Sequence, residues 1–306
     1  MGAPLGALVV GGTGQLGVEL DRILGGRPDS AVRAPGSAEL DVTDPRSVSA
    51  AVAEFAGATR ESGLPPVVVN AAAHTAVDRA ESEPERAAEI NARGAERVAA
   101  ACASRGVPLV HVSTDYVFSG TADAPYEPDD PAEPRTVYGR TKLDGERAVL
   151  ASGARAWIVR TAWVYGAGGA NFVKTMARLA AERPEVSVVD DQVGAPTWAA
   201  DLADGIVELA ATATAGSGPG RRVLHRTNAG RASWFEFARA VFAELGADPE
   251  RVRPCSSAEF PRPAPRPAWS VLSGAAWAAE GLAPARDWRE ALTAAFAADG
   301  AALSGR

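Results

Sequence analysis

The stretch Leu-Val-Val-Gly-Gly-Thr-Gly-Gln-Leu-Gly at residues 8–17 decides the fold. It completes a short apolar run, Leu5–Val10, whose length is that of a buried strand. Three glycines then recur at every third position: Gly11, Gly14 and Gly17. Apolar residues at helical spacing follow, until Gly25-Gly26 ends the pattern. A strand, a glycine turn and a helix N-terminus in this order offer free backbone N–H groups to a pyrophosphate, so the stretch predicts dinucleotide binding.

The alternation of short apolar runs with longer amphipathic stretches continues through the first 165 residues. Further strands are predicted at Pro66–Val69, Val107–Val112 and Ala156–Val159. Helices are predicted over Pro84–Ala103 and Thr136–Leu150. Nearly continuous apolar strands that alternate with helices indicate a parallel sheet covered on both faces. We therefore expect an α/β fold with a Rossmann-like doubly wound sheet.

The second half of the chain is less regular. Helices are predicted over Asn171–Ala181, Asp201–Ala213 and Trp234–Leu245, with a loop at Thr212–Gly220. Arg253–Trp269 contains five prolines and is predicted to be an extended or polyproline segment without a regular element. Such a stretch is either a linker or a loop packed against a C-terminal subdomain. A further segment with Trp277 and Trp288 follows it, so the packed loop is favoured at least as strongly as the linker.

Composition excludes several classes of function. Lys and Arg number 31 against 38 Asp and Glu, for a formal net charge of −7. A mildly acidic chain without a basic run argues against nucleic acid and membranes as partners. The three histidines show no metal-binding spacing and the two cysteines, Cys102 and Cys255, lie far apart, so neither a metal site nor a disulfide is expected. Without a signal-peptide pattern or a long apolar run, the expected location is the cytoplasm.

Tyr138 and Lys142 are spaced i, i+4 on a predicted helix, so they project from one face about one turn apart. A phenol has an ordinary pKa of about 10, too high for ready proton exchange at neutral pH. A nearby ammonium stabilises the phenolate and lowers that pKa, which lets tyrosine act as an acid or base. Lysine occurs only at Lys142 and Lys174, beside 29 arginines, which singles out both positions.

Ser113-Thr114-Asp115-Tyr116 directly follows the predicted strand Val107–Val112. Residues just beyond the carboxyl ends of the strands line the ligand crevice of an open α/β sheet. A hydroxyl there can hydrogen-bond a substrate carbonyl and complete a Thr/Tyr/Lys set. The glycine turn, Thr114 and the Tyr138/Lys142 pair, in this order, are together far more specific than any one of them.

The residue facing the adenosine ribose distinguishes NAD from NADP enzymes. An Asp or Glu about 20 residues beyond the glycine turn suits the ribose hydroxyls of NAD. Here that region contains Arg33 and then no acid before Glu39. A guanidinium can pair with the 2′-phosphate of NADP, although Arg33 could also be a surface arginine. The sequence therefore favours NADPH, with NADH as the open alternative.

The sequence resembles the dTDP-4-dehydrorhamnose reductases of the extended short-chain dehydrogenase/reductase superfamily over nearly the whole chain. The resemblance rests on blocks at 11–17 (GGTGQLG), 69–84 (VNAAAHTAVDRAESEP), 111–121 (HVSTDYVFSGT), 137–146 (VYGRTKLDGE), 159–166 (VRTAWVYG), 171–176 (NFVKTM), 190–197 (DDQVGAPT) and 266–272 (RPAWSVL). It implies NADPH-dependent reduction of the C4 ketone of dTDP-4-dehydro-L-rhamnose to dTDP-L-rhamnose.

The resemblance also implies roles for the matching residues. Tyr138 would be the proton donor, Lys142 its partner and ribose ligand, and Thr114 the hydroxyl that tunes the tyrosine. With the glycine turn and Arg33, the expected cofactor contacts are Gly11, Gly14, Gln15, Leu16, Gly17, Arg33, Asp41, Val42, Ala72, Ala73, Thr75, Tyr138 and Lys142. The expected substrate contacts are Thr75, Val77, Thr114, Asp115, Tyr116, Trp163 and Lys174.

The expected division is an NAD(P)-binding domain at 1–165 with about 192–215, and a smaller C-terminal α/β nucleotide-sugar-binding domain at about 166–191 and 216–306. The implied partner is a dTDP-linked 4-keto-6-deoxysugar, bound by a monomer or homodimer. Some family members are described as joined through a metal held by glutamates. Glu19 matches one such position, but Ala199-Ala200-Asp201 departs from the expected glutamate, so no metal ligand is assigned.

Two alternatives stay open. The first is a reductase of another dTDP-4-keto-6-deoxysugar, as in an antibiotic-sugar pathway, or an epimerase or 4,6-dehydratase on the same scaffold. Similar dehydratases have an Asp-Glu pair after the threonine, whereas Asp115 is followed here by Tyr116, which disfavours dehydration. The second is a reductase-like regulatory subunit without turnover, which the intact Thr114, Tyr138 and Lys142 disfavour.

Overall fold

A computed structural model describes residues 3–305 of the chain. Its strands are β1 (Gly6–Val10), β2 (Ala31–Arg33), β3 (Pro66–Asn70), β4 (Leu109–Thr114), β5 (Ala156–Thr161), β6 (Val164–Tyr165), β7 (Val186–Val189), β8 (Val193–Gly194), β9 (Thr197–Trp198), β10 (Val223–His225), β11 (Ala232–Ser233) and β12 (Val252–Cys255). Its helices are α1 (Gln15–Gly25), α2 (Pro45–Glu61), α3 (Val77–Ser82), α4 (Pro84–Ala88), α5 (Gly94–Arg105), α6 (Val137–Ala151), α7 (Phe172–Glu182), α8 (Ala199–Thr214), α9 (Trp234–Glu244), α10 (Ala275–Ala279) and α11 (Trp288–Ser304). Among the residues described, no helix combines the length and the apolarity needed to cross a membrane.

Six parallel strands form the main sheet in the order β10-β5-β4-β3-β1-β2. β2 lies on one side of β1, and β3, which the chain reaches from β2 through α2, lies on the other. Val10 pairs with Asn70 at the carboxyl end of the β1–β3 ladder. Where the strand order reverses, the connections diverge and leave a crevice at the carboxyl ends of the strands. The predicted α/β, Rossmann-like doubly wound sheet is confirmed, and the glycine turn borders the crevice.

Helices cover both faces of this sheet, and each face has its own apolar core. On one face α1 packs on α8, with Leu20 and Ile206 fully buried. On the other face α2 packs on α5, with Val52 and Val98 buried. Complete burial of one such side chain contributes about 1.5–3 kcal/mol, so the two cores hold the strand ends in fixed positions.

The helix predicted over Pro84–Ala103 is divided in the structure. A π-helical turn, Glu89–Arg93, separates α4 from α5. A π turn inserts an extra residue into the helical repeat and shifts the side chains that follow. Apolar periodicity does not reveal it, because the side chain at its centre, Asn91, bonds to groups far away in sequence.

A second region lies beside the crevice, where α9 packs on β7 and β12, and α7 and α11 pack on α9, around Phe237 and Trp288. The Pro-rich stretch Arg253–Trp269 enters this region as part of β12, with Pro254 opposite Val188. Proline fits there because β12 pairs with β7 alone, so its outer edge needs no backbone donor. The expectation of an irregular segment is therefore wrong for residues 253–255.

The chain crosses between the two regions more than once. β10 pairs with β5 as the sixth strand of the main sheet, although its residues fall in the stretch 216–306 that the sequence division places with the smaller domain. Trp277 and Leu282, also from that stretch, join the core on the α8 face. The C-terminal part of the chain thus contributes to both regions.

Candidate active site

A cavity of about 750 Å³ lies where the crevice of the main sheet meets the second region. It brings together the glycine turn, the end of β4, one face of α6 and side chains from the second region. The predicted site residues that line it are Gly14, Gln15, Leu16, Gly17, Ala73, Thr75, Val77, Thr114, Asp115, Tyr116, Tyr138, Lys142 and Trp163. Sequence-distant motifs therefore share a single cavity.

Close backbone contacts explain the glycine turn. Gly11 has a φ of +86°, and a Cβ atom there would lie 2.8 Å from the Ala72 backbone nitrogen. A Cβ on Gly12 would lie 2.1 Å from the Ala34 carbonyl oxygen, and one on Gly17 would lie 2.4 Å from the Gly11 carbonyl oxygen. A side chain at Gly11 or Gly12 would push the turn away from the loops after β3 and β2, and one at Gly17 would push α1 away from the turn.

The N-terminus of α1 fits an anionic group. Its N-cap is Gly14, which has no capping side chain, and its first turn contains no acidic residue. The unpaired backbone N–H groups there carry the positive end of the helix dipole. Because Gly14–Gly17 line the cavity, a dinucleotide pyrophosphate fits at this end of the site.

Tyr138 is held against the end of β4 by the first turn of α6. The Thr136 hydroxyl caps α6 by accepting a hydrogen bond from the Gly139 N–H at 2.9 Å. A Cβ on Gly139 would lie 2.1 Å from the Tyr116 carbonyl oxygen, so this approach requires glycine. Burial raises the pKa of Tyr138 to about 12, and the neighbouring Thr114 hydroxyl acts in the opposite direction. The phenol therefore keeps its proton at neutral pH. The lowered pKa expected from the Lys142 ammonium is wrong for this structure, because burial dominates the shift and Lys142 is not among its causes.

The Lys142 amine lies inside the protein, one turn along α6 from Tyr138. The residue is 2% exposed, and Nζ donates to the Val112 carbonyl oxygen at 2.7 Å. Burial lowers the pKa of Lys142 to about 8, while the negative charge of Glu146, one turn further on, acts to raise it. A protonated phenol and an amine that titrates near neutral pH thus share one wall of the cavity.

A buried ion pair supports this wall from behind. The Arg160 guanidinium donates to both carboxylate oxygens of Glu146, at 2.9 and 2.7 Å, and to the Pro128 carbonyl oxygen at 3.1 Å. Both side chains of the pair are almost fully buried. The guanidinium also lies over the Phe118 ring, 5.0 Å from its centroid. The pair therefore ties α6 to β5 through a fixed, bidentate contact.

Glu146→Gln is expected to lower the free energy of unfolding by about 3–5 kcal/mol, because the Arg160 guanidinium would stay buried without its counter-charge. Urea unfolding measures the loss. Glu182→Gln is the matched control, since its pair with Arg178 is exposed and should contribute at most about 1 kcal/mol. Equal effects of the two substitutions would contradict the structural importance of the buried pair.

Asp115 places a carboxyl group in the cavity wall. It is 4% exposed, and its Oδ1 accepts a hydrogen bond from the Thr114 hydroxyl at 2.9 Å. Its Oδ2 is buried, and the Ser270 side chain lies near enough to the carboxyl group to act on it as a donor. Burial raises the pKa of Asp115 to about 6, and the hydrogen-bond donors around it act in the opposite direction. The carboxyl group thus lies in the cavity wall next to the Thr114 and Ser270 hydroxyls.

Trp163 lies between the two regions with a φ of +46°, the one positive value at a non-glycine residue within the described range. Its indole stacks on Trp234, with centroids 3.5 Å apart and planes 5° from parallel. Both indoles line the cavity. A bulky residue held in this backbone conformation is typical of ligand sites. No sequence pattern predicted Trp234, because it reaches the cavity only through the packing of α9.

Asn91 joins the loop at 71–76, part of which lines the cavity, to α6. It lies at the centre of the π turn and is 1% exposed. Its Oδ1 accepts from the His74 N–H at 2.8 Å, while Nδ2 donates to the His74 carbonyl oxygen at 3.2 Å and the Thr141 hydroxyl at 3.0 Å. Its only signal in the sequence is weak: an amide on the otherwise apolar face of a predicted helix.

Comparison with known proteins identifies the family. The family profile described as "RmlD substrate binding domain" matches residues 6–300 of the chain. The chain is 51% identical over 292 residues to a dTDP-4-dehydrorhamnose reductase of Streptomyces griseus, which covers 95% of this chain and 93% of the relative. The chain belongs to the dTDP-4-dehydrorhamnose reductase family. It is thus an NAD(P)H-dependent oxidoreductase, as the resemblance implied.

Other members and relatives of the dTDP-4-dehydrorhamnose reductase family agree with this placement. A probable dTDP-4,6-dihydroxy-2-methyloxan-3-one 4-ketoreductase of Streptomyces antibioticus is 48% identical over 94% of both chains. The crystal structure of the dTDP-4-dehydrorhamnose reductase of Bacillus anthracis in complex with NADP is similar with a TM-score of 0.88. That structure is 36% identical in sequence and covers 96% of this chain and 99% of its own.

Six residues expected to bind ligands in a dTDP-4-dehydrorhamnose reductase lie outside the cavity lining: Gly11, Arg33, Asp41, Val42, Ala72 and Lys174. Gly11 and Ala72 pack against each other behind the glycine turn. The Lys174 amine, on α7, donates to the Ala167 carbonyl oxygen. The structure therefore does not bring Lys174 together with the other substrate-site residues.

Arg33, Asp41 and Val42 of this reductase lie beyond the glycine turn, on the side of β2. The half-exposed Arg33 side chain pairs with the exposed Glu54 at 3.3 Å. Asp41 accepts hydrogen bonds from the backbone and side chain of Thr43, which lower its pKa. Their roles toward the adenosine end of a cofactor stay predictions.

Glu19, which matches a metal-ligand position of some family members, pairs with an arginine in this structure. Glu19 is 2% exposed and accepts a hydrogen bond from Arg22 at 2.8 Å. Across residues 3–305, no three His, Cys, Asp or Glu side chains gather in a way that could hold a metal ion.

Proposed function

We propose that the protein reduces the C4 ketone of dTDP-4-dehydro-L-rhamnose to dTDP-L-rhamnose with NADPH. The observation that carries the proposal is the single cavity in which Thr114, Tyr138 and Lys142 meet the glycine turn. The identity of 51% with the Streptomyces griseus reductase supports the substrate, and the NADP complex of the Bacillus anthracis reductase supports the cofactor.

The cofactor end of the cavity comprises the glycine turn and the loop after β3. Backbone N–H groups of Gly14–Gly17 would hold the pyrophosphate, and the Lys142 amine would bind the nicotinamide ribose. Ala73 and Thr75 would lie on the nicotinamide side. When bound, NADPH supplies the hydride that adds to C4.

The protein supplies the proton. The Tyr138 hydroxyl, which carries its proton at neutral pH, gives that proton to the C4 oxygen as negative charge develops there. The Thr114 hydroxyl, which donates to Asp115 in the structure, can turn toward the same oxygen and stabilise it. The Lys142 ammonium stabilises the phenolate left on Tyr138. Asp115 then accepts a hydrogen bond from a sugar hydroxyl.

In this proposal each of the two regions binds a different ligand. We assign the cofactor to 1–165 with about 192–215, and the nucleotide sugar to about 166–191 and 216–306. The position of Trp163 two residues after β5, together with its stack on Trp234 of α9, supports a sugar site at the boundary. In this arrangement β10, within the second stretch, has a structural role in the main sheet.

A second candidate is the reduction of another dTDP-4-keto-6-deoxysugar. The identity of 48% with the Streptomyces antibioticus ketoreductase favours it, because that protein is described as acting on a different 4-keto sugar. The same Thr114, Tyr138 and Lys142 would perform the chemistry, and the shape of the sugar pocket would decide the substrate.

One assay separates the two candidates. NADPH oxidation is followed at about 340 nm with dTDP-4-dehydro-L-rhamnose and, in parallel, with other dTDP-4-keto-6-deoxysugars, and the products are identified by mass spectrometry and NMR. We expect the highest kcat/KM with dTDP-4-dehydro-L-rhamnose. A higher value with another sugar would establish the second candidate. No turnover with any of them would overturn the reductase proposal and favour a regulatory subunit.

Arg33 is expected to favour NADPH over NADH through the 2′-phosphate. Arg33→Ala should lower kcat/KM for NADPH by about tenfold and leave the value for NADH unchanged, because only NADPH carries the phosphate. Arg178→Ala, which breaks a similar exposed ion pair away from the cavity, is the control. Equal losses with both cofactors, or a wild-type preference for NADH, would refute the assignment.

A further inference from the structure

Residues Phe260-Pro261-Arg262-Pro263, here called the strap, cross the edge of the cavity on the side of the second region. All four residues are exposed, but Phe260 and Arg262 also line the cavity. The two prolines fix the backbone φ on either side of Arg262 and so limit the freedom of the strap. The segments before and after it determine whether it is held in place.

The segment before the strap is bonded to the end of β7. Ser257 donates to the Asp191 carboxylate from its backbone N–H at 2.9 Å and from its hydroxyl at 2.6 Å. Gln192 Nε2 donates to the same hydroxyl at 2.7 Å. Ser256 and Glu259 form a reciprocal capping box around the turn that ends next to Phe260. The position of Phe260 is thereby fixed against β7.

The segment after the strap is bonded to α3. The Ala264 N–H donates to Asp78 Oδ1 at 3.2 Å, and the Arg266 guanidinium donates to Asp78 Oδ2 at 2.7 Å. Ala264 itself is fully buried. The strap is therefore held at both ends, one on each side of the cavity.

Phe260 is the most exposed large apolar side chain in the described part of the chain. It is 44% exposed, against 40% for Val18 and for Leu150. Unlike those two, it lines the cavity. An aromatic side chain that is held at a cavity edge with nearly half of its surface exposed offers a face for a planar ligand group.

Arg262 is a cation without a carboxylate partner within 4 Å among residues 3–305, whereas the charge of nearby Arg266 is paired with Asp78. Near the strap, Gln192 and β7 provide polar side-chain and backbone groups at the cavity wall. Arg266 also lines the cavity, and the remaining charged groups of the lining are Asp115, at the end of β4, and Lys142, on α6. Of the two arginines at the strap side of the cavity, Arg262 is therefore the one whose charge is left for an anionic ligand group.

We propose that the strap recognises the nucleotide of the substrate: Phe260 covers the pyrimidine base, and Arg262 pairs with the diphosphate. The inference rests on the proposed function, which supplies a substrate with both groups, and it names the residues that select it. Because the strap is held before the ligand arrives, little conformational entropy is lost on binding. Both residues should therefore affect substrate affinity and leave the proton transfer unchanged.

The test measures dTDP binding by calorimetry at about 50 and 300 mM NaCl, since screening weakens an exposed ionic contact. Arg262→Gln should weaken dTDP binding about tenfold at low salt and reduce its salt dependence. Phe260→Ala should weaken binding about tenfold at both salt concentrations and retain the salt dependence. In turnover, both should raise KM for the nucleotide sugar with kcat and the Kd of NADPH unchanged.

Two control variants remove similar side chains elsewhere. Arg253→Gln removes an exposed arginine of β12 that pairs with Glu185, and Leu150→Ala removes an exposed apolar side chain of α6. Neither residue lines the cavity, so dTDP affinity should stay at the wild-type value.

The possible results are separable. If the wild-type protein binds dTDP but either strap variant binds it as tightly as the controls do, the strap proposal is wrong and the proposed function stands. If Arg262→Gln retains the full salt dependence, or if the Kd of NADPH changes equally, the assignment to the diphosphate is wrong. If the wild-type protein does not bind dTDP, the proposed function itself fails.

Discussion

Tyr138→Phe is expected to lower kcat by about 10²–10⁴-fold, the usual contribution of a positioned general acid. The phenylalanine ring keeps the edge-to-face contact with Tyr116, whose centroid lies 5.5 Å away, so the site keeps its shape. What is lost is the hydroxyl group and the proton that it carries at working pH, well below its raised pKa of about 12. Steady-state kinetics measures the loss. Fluorescence titration should give an NADPH affinity within about twofold of wild type, because the substitution removes only transition-state stabilisation.

Tyr165→Phe is the matched control for this substitution. Tyr165 is also buried, its hydroxyl has no hydrogen-bond partner among the described residues, and it lies outside the cavity lining. Its replacement should leave kcat unchanged. A kcat of Tyr138→Phe within about tenfold of wild type would show that another group delivers the proton.

Lys142→Arg should lower kcat by at least about 10²-fold, although the positive charge is kept. The Lys142 side chain is 2% exposed and its Nζ lies 2.7 Å from the Val112 carbonyl oxygen, so a larger planar guanidinium does not fit in the same place. Affinity for NADPH should also fall, since the amine is the proposed ribose ligand. Arg140→Lys, an exposed exchange on the same helix, is the control and should preserve both quantities.

The pH dependence of kcat is a second test of Lys142→Arg. Because burial lowers the pKa of Lys142 to about 8, the amine loses its charge as the pH rises through that value. Wild-type kcat should therefore fall above about pH 8, while Tyr138 still holds its proton. A guanidinium does not titrate there, so the residual activity of Lys142→Arg should lack this decline. If kcat of the variant falls above about pH 8 as it does in the wild type, the decline is caused by another group.

Local sequence patterns predicted the four central strands of the main sheet well because these strands are buried on both faces. β1, β3, β4 and β5 appear as continuous apolar runs, and all four lie side by side in the sheet. Patterns failed where tertiary contacts decide the local structure. The π turn around Asn91 depends on bonds to His74 and Thr141, and the strand at Pro254 depends on pairing with β7.

The same distinction applies to the site. Tyr138 and Lys142 were predictable because an i, i+4 spacing on one helix fixes their relative position without any knowledge of the fold. Trp234, Phe260 and Arg262 reach the cavity through the packing of distant elements, and nothing in their neighbours along the chain distinguishes them from surface residues. Asp78 is similar, since its partner Arg266 is 188 positions away.

The stacked indoles of Trp163 and Trp234 have an optical consequence. Tryptophan emission overlaps the absorption band of a reduced nicotinamide, and its wavelength and intensity depend on the polarity and contacts of the ring. Because both indoles line the cavity at the boundary of the two regions, the protein contains an intrinsic fluorophore at the site itself. Occupancy by either ligand can thus be followed without turnover, without a label and in variants that have lost all activity.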